Sequence, residues 1–239
     1  MTKEKSGKSG PPLLLPSEMH DSGALFVTCP ESHRSAIIYN HKKHEIFFTS
    51  GAMAFLDGYS YEAVSSFATA LERLYEFCIR VVCRKHGLPL DVFETSWKLL
   101  ARQSERQFGA FCLLYALETG SSFSLPSSIP NFRNKVIHKG YIPSNKEVYD
   151  FAEKVFKKIR FVMTKLRETA EDSIKEQGAA ELKRQLSAIP ENMPRGSMAT
   201  IRMHSSEWKD SEAFAKWLST YRGLHNTLRS LLPKENNTV

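Results

Sequence analysis

The sequence contains no long apolar run. Hydrophobic residues make up 41% of its 239 positions, but they are scattered in short groups, and none approaches the ~20 consecutive apolar residues of a membrane-spanning helix. No membrane partner is therefore expected. Cysteine is scarce too. Cys29, Cys78, Cys83 and Cys112 are the only four, and none forms a CxxC pair. That argues against a disulfide scaffold and predicts a reducing, cytoplasmic setting. The opening "MTKEKSGKSGPPLLLP" places just three leucines between prolines, too short for the apolar segment of a secretory signal. There is no Gly-rich phosphate loop, no HExxH pair and no Ser-His-Asp arrangement in a familiar context. Neither an internal repeat nor a sustained heptad seam is visible. Cys29, His33, His41 and His44 have the residue types of a zinc site, but the CxxC or CxxH knuckle usual on β ribbons is missing. A metal-free ribbon is the expectation.

What is present is aromatic, helical and mildly basic. Aromatic residues are 11% of the chain and the formal net charge is +7. A sizeable core can be buried, and acidic partners such as nucleic acid are favoured. Residues 1–22, rich in Lys, Ser, Gly and Pro, are predicted to be a disordered basic tail. Over 23–51, "ALFVTC", "SAIIYN" and "HEIFFT" predict a small β appendage. From Tyr59, Ala63, Phe67, Ala70, Leu74, Phe77 and Val81 recur at spacings of three and four, with a second flank at Val64, Leu71, Tyr75 and Cys78. So wide an apolar arc calls for cover on two sides, by the rest of a bundle and by a second subunit. A further helix is expected from an Asp91 cap to about Leu117, followed by the loop "ETGSSFSLPSSIP". Ser144 with Glu147 predicts a capping box opening another long helix, to about Leu186. Residues 189–239 are expected to be a linker and an amphipathic helix whose aromatic stripe includes Trp208, Trp217 and Tyr221. The predicted fold is mainly α: an antiparallel helical bundle over 52–188, a small N-terminal β appendage and a C-terminal helical extension.

Between loop and capping box stands "PNFRNKVIHKGYIPSNKE". Arg133 precedes His138 by five positions, about 140° of azimuth on a regular helix. For both to touch one ligand, Arg133 must reach far, the turn must be irregular, or a second chain must contribute. With Arg133, Asn134 and His138 set between two long amphipathic helices, the segment resembles the HEPN superfamily (higher eukaryotes and prokaryotes nucleotide-binding), over roughly residues 52–170. "GYSYEAVSSFATALERLYEF" is similar to the first long helix of such domains, whose face often carries a glutamate. "YIPSNKEVYDFAEKVFKKI" is similar to the helix after the motif.

The resemblance implies a homodimer with motifs from two chains meeting in a cleft. It implies an endoribonuclease needing no metal or cofactor, acting as a toxin or antiviral effector, with an antitoxin or other regulatory protein as a possible partner. His138 would exchange a proton with the ribose 2′-OH or the leaving 5′-oxygen. Arg133 would hold the scissile phosphate. Asn134 would orient His138 or bind the phosphate, and Glu72 would orient a catalytic group in competition with Glu62 and Glu76. Lys135, Lys139 and Tyr141 are the accompanying candidate contacts to RNA. The alternative is a non-catalytic module of the same kind that binds RNA or a nucleotide, or scaffolds a defence complex. In some members a tyrosine two residues after the histidine is modified with AMP by a partner enzyme. Gly140 stands there in this chain and Tyr141 follows.

Overall fold

The computed structural model describes residues 17–198, 201–204 and 211–230. Its elements run β1 (Ser17–Met19), β2 (Ala24–Thr28), β3 (Arg34–Tyr39), α1 (Lys43–Leu56), α2 (Ser60–Lys85), α3 (Leu90–Leu100), α4 (Ser104–Thr119), α5 (Ser128–Lys139), α6 (Asn145–Ser187), β4 (Arg195–Met198) and α7 (Ala213–Ser230). The fold is mainly helical with one small sheet. No helix among the described residues is long and apolar enough to cross a membrane.

α2 is the axis of the bundle. α1, α4, α5 and α6 all pack on it, and its buried positions span both flanks of the apolar arc, from Ala63 and Val64 to Val81 and Val82. The arc is thus covered within one chain, and its width does not require a second subunit. Phe48 of α1 shows how the layers lock together. Its ring centroid lies 4.8 Å from that of Phe67 in α2, 5.6 Å from Phe156 in α6 and 5.3 Å from Trp217 in α7. Trp217, Phe214 and Tyr221 are buried core residues; Trp208 lies outside the described residues.

The expected strand "HEIFFT" is helical. His44, Phe48, Gly51 and Ala52 are buried on one face of α1, and a short apolar run of this kind reads equally as strand or helix until its neighbours are known. The segment expected as one helix from Asp91 to Leu117 is two. Gln103 is extended (φ −142°, ψ 131°), and the Gln107 side-chain amide donates to the Ala101 carbonyl at 3.2 Å, satisfying the end of α3. α3 starts after Pro89, with Asp91 inside its first turn rather than as cap.

The sheet has order β1-β2-β3-β4. β1 and β2 pair antiparallel, Glu18 opposite Phe26, as do β2 and β3, Phe26 opposite Ala36. β1 therefore draws residues 17–19 of the expected disordered tail into the sheet, while residues 1–16 lie outside the described residues. β4 comes from the expected linker and adds parallel to β3, Ala36 beside Arg195 through Tyr39 beside Met198. The sequence hid it because Arg195–Met198 is short and exposed at each position, so it carries no alternation of apolar and polar residues.

Candidate functional site

α5 is anchored by Ile129 and Val136, both buried, and by Phe132 against Phe151 of α6 at 5.2 Å. With those residues facing inward, the helical wheel turns His138 almost directly to solvent and leaves Arg133 at the edge of the buried face. Gly140 ends the helix at φ 66°, in the left-handed region where a side chain is strained. A tyrosine two positions after the histidine would therefore be disfavoured here. Ser144 caps α6 as expected: its Oγ accepts from the Glu147 N–H at 3.4 Å, and its own N–H donates to Glu147 Oε2 at 2.9 Å.

Arg133 is the hub of the motif. Its Nη2 donates to Glu72 Oε1 of α2 at 3.3 Å, and its Nη1 donates to Asn134 Oδ1 at 3.1 Å. The same Nη1 lies 3.3 Å from His138 Nε2. Arginine can only donate, so in this contact Nε2 is the acceptor and the imidazole proton sits on Nδ1. The long, flexible arginine side chain bridges the 140° offset between the two positions. Contact between Arg133 and His138 is thus made within one chain, and their misalignment does not by itself call for a partner. The Arg133 and Glu72 side chains retain 26% and 28% of their accessible surface. An ion pair so open to solvent contributes at most about 1 kcal/mol to stability, and the guanidinium can exchange partners.

The remaining expected contacts divide. Lys135 places its ammonium 3.2 Å from the centroid of the Tyr141 ring, and the Tyr141 hydroxyl donates to Glu147 at 2.9 Å. Both thereby brace the turn from α5 into α6. Lys139 is exposed one turn beyond Lys135, on the flank of His138 away from Arg133. Of the competing acids, Glu76 is held by Arg73 at 2.6 Å and Arg80 at 3.1 Å, and Glu62 lies exposed in the first turn of α2. Glu72 is the one of the three that meets the motif.

Beside Arg133 opens a cleft of about 440 Å³ whose lining includes Glu72, Tyr75, Phe108, Phe123, Arg133 and Asn134. The sequence pointed to Glu72, Arg133 and Asn134 but not to the aromatic wall. Tyr75 stood in the second apolar flank of α2, while Phe123 sits in a loop without periodicity. Lys158 of α6 holds that loop, donating to the Ser124 carbonyl at 2.9 Å, with its ammonium 5.4 Å from the centroid of Phe123.

The zinc-type residues fall into separate pairs. Cys29 Sγ and His33 Nδ1 are 3.5 Å apart at the β2–β3 turn. His41 and His44 lie beyond the other end of β3, roughly 20 Å away at the rise of an extended strand. His41 Nδ1 approaches Glu45 Oε2 at 3.7 Å, and His44 Nε2 meets His204 Nε2 at 3.2 Å. Among the described residues no group of three or more His, Cys, Asp or Glu side chains is placed to hold a metal ion. Burial pushes His44 down to about 3 and His204 down to about 4, so both imidazoles are neutral at pH 7. Burial also works against the Glu45 carboxylate, but the His41 hydrogen bond and the neighbouring histidines outweigh it and hold its pKa below the usual range.

No family model, no curated protein and no solved structure matches this chain.

Proposed function

We propose that the chain is a metal-independent endoribonuclease of the HEPN-like type, acting as a homodimer and serving as a toxin or antiviral effector under the control of a partner protein. The observation that carries this reading is the cluster on Arg133: one guanidinium touching Glu72, Asn134 and His138 at 3.1–3.3 Å, open to solvent and next to a cleft.

His138 Nε2, the acceptor in its contact with Arg133, takes the proton of a ribose 2′-OH. The 2′-oxygen attacks the adjacent phosphorus, and Arg133 turns from its protein acceptors to the phosphate oxygens, where negative charge grows. The 5′-oxygen leaves with a proton from a second acid, producing a 2′,3′-cyclic phosphate and a 5′-hydroxyl end. The single histidine of the motif cannot be base and acid in the same step. His138 of a second copy supplies the acid, which is the argument for the dimer. Glu72 keeps the guanidinium oriented until substrate arrives. DNA lacks the 2′-hydroxyl and is not cut.

The test is incubation of the purified protein with total RNA and EDTA, followed by mapping of the 3′ ends. Cyclic phosphates are expected, and His138→Gln and Arg133→Lys should each lower cleavage by about 10²–10⁴-fold. Parent-like activity in both variants would refute the assignment.

A non-catalytic RNA-binding module is the second reading, favoured by the pairing of Arg133 with Glu72, which offsets the charge a phosphate would seek. It predicts salt-sensitive RNA binding without cleavage.

A further inference from the structure

The cleft beside Arg133 has a chemistry the cleavage step does not use. Its wall is aromatic: Tyr75, Phe108 and Phe123 line it, with Phe108 and Phe123 at 6.1 Å and nearly perpendicular. Its rim is polar, with Arg133, Asn134 and Glu72 from α5 and α2, and Ser104 and Glu105 from the start of α4. At about 440 Å³ it falls within the range of small-molecule sites.

Tyr75 is the fixed member of the lining. It is only 5% exposed, and its ring stacks on Phe111 at 4.6 Å and meets Phe108 at 5.3 Å, so the aromatic wall is held in place before a ligand arrives.

We propose that this cleft is a nucleobase subsite. The base of the nucleotide whose phosphate sits on Arg133 inserts against Phe108 and Phe123, and its polar edge faces Glu72 and Glu105 on the rim. Aromatic walls bind any base through its π face, so selectivity must come from the polar groups. Glu105 and Glu72 are acceptors only, and a carboxylate accepts well from an exocyclic amino group. The subsite therefore favours bases carrying an amino group, cytosine, adenine and guanine, over uracil. The inference rests on the ribonuclease reading for the role of the bound base, but the cleft's affinity for a nucleotide can be measured without cleavage.

Two variants of the full chain test it. Glu105→Gln removes only a rim carboxylate's charge, and Cys112→Trp fills the cleft from its α4 wall, Glu105 and Cys112 both being lining residues. Cleavage sites of parent and variants are mapped on total RNA, and binding of cytidine and uridine 3′-monophosphates is followed by equilibrium dialysis. The parent should cut preferentially beside amino-bearing bases and bind the cytidine nucleotide more tightly. Glu105→Gln should bring kcat/KM at those sites down about tenfold, toward that at uridine. Cys112→Trp should abolish nucleotide binding while its melting transition stays cooperative. Unchanged site preference and unchanged nucleotide binding in Glu105→Gln would overturn the subsite, even should Cys112→Trp fail to fold. If the parent cuts no RNA, the ribonuclease reading fails by itself. The subsite then stands on saturable cytidine monophosphate binding that Cys112→Trp removes. Absence of such binding would overturn it and leave the cleft to a partner protein's apolar side chain.

Discussion

Gly51→Ala sets two opposing effects against each other at the contact that positions α2. Replacing a mid-helix glycine by alanine ordinarily stabilises by about 0.5–1 kcal/mol, because the glycine backbone has more freedom to lose. Here an added Cβ would sit 2.7 Å from Phe67 Cδ1 and 2.8 Å from Cε1. Carbon atoms rest at about 3.5–4.0 Å, so ring or helix must move by about 1 Å. The Phe67 ring is fully buried and is backed by Phe48 at 4.8 Å. It cannot rotate out, and α1 must lift from α2. Overpacking of this kind costs about 1–3 kcal/mol, so the clash wins and a net loss of about 1–2 kcal/mol is expected. For a chain of this size that is a fall in Tm of roughly 2–8 °C. Urea denaturation of Gly51→Ala, Phe67→Leu and the double variant measures the coupling. The double variant should be more stable than the sum of the single losses by at least about 0.5 kcal/mol. A rise in the midpoint for Gly51→Ala, or strict additivity, would refute the argument.

Two further outcomes can be stated. His44 and His204 have folded pKa values of about 3 and about 4, below the ~6.5 of an exposed histidine. The unfolded chain therefore binds protons first, and stability falls as pH drops from about 6.5 toward 4, by up to ~1.4 kcal/mol per pH unit for each group. Glu45, depressed in the fold, adds its loss in the same direction below about pH 4.5. Lys42 and Arg167 deepen the depression of both imidazoles, and Glu45 partly relieves it. The urea midpoint should be lower at pH 5.5 than at pH 7.5, with a smaller difference in His204→Gln; equal midpoints for the parent would contradict this. Ser144→Ala removes the cap of α6 and should cost about 0.5–2 kcal/mol. Because the same turn carries the Tyr141–Glu147 bond, an unchanged melting temperature would show that this bond alone secures the helix start.

The α2 stripe was legible because a 3.6-residue period over 26 helical positions admits one interpretation. The Ser144–Glu147 box was legible because capping is a local bond between residues three apart. α1 was not, since the three apolar residues Ile46, Phe47 and Phe48 fit a strand as well as a helix until Phe67 and Phe156 close around Phe48. Nor was β4, whose only strand signal is its partner β3, more than 150 residues earlier. His44 looked like kin to Cys29 by proximity in the chain, yet it meets His204, 160 positions away.

At the site the division is sharper. Arg133, Asn134 and His138 occupy a single stretch of helix, so the sequence alone determined that a base and a permanent cation lie within two turns of each other. It left them about 140° apart on the wheel. Only the tertiary structure decided that Arg133 lies over to His138, because α2 brings Glu72 to the other arm of its guanidinium, 61 positions away in the chain. The aromatic cleft is likewise a product of three elements meeting, α2 with Tyr75, α4 with Phe108 and the loop with Phe123. Such a surface has no period and no spacing in the sequence, since its walls come from segments far apart in the chain.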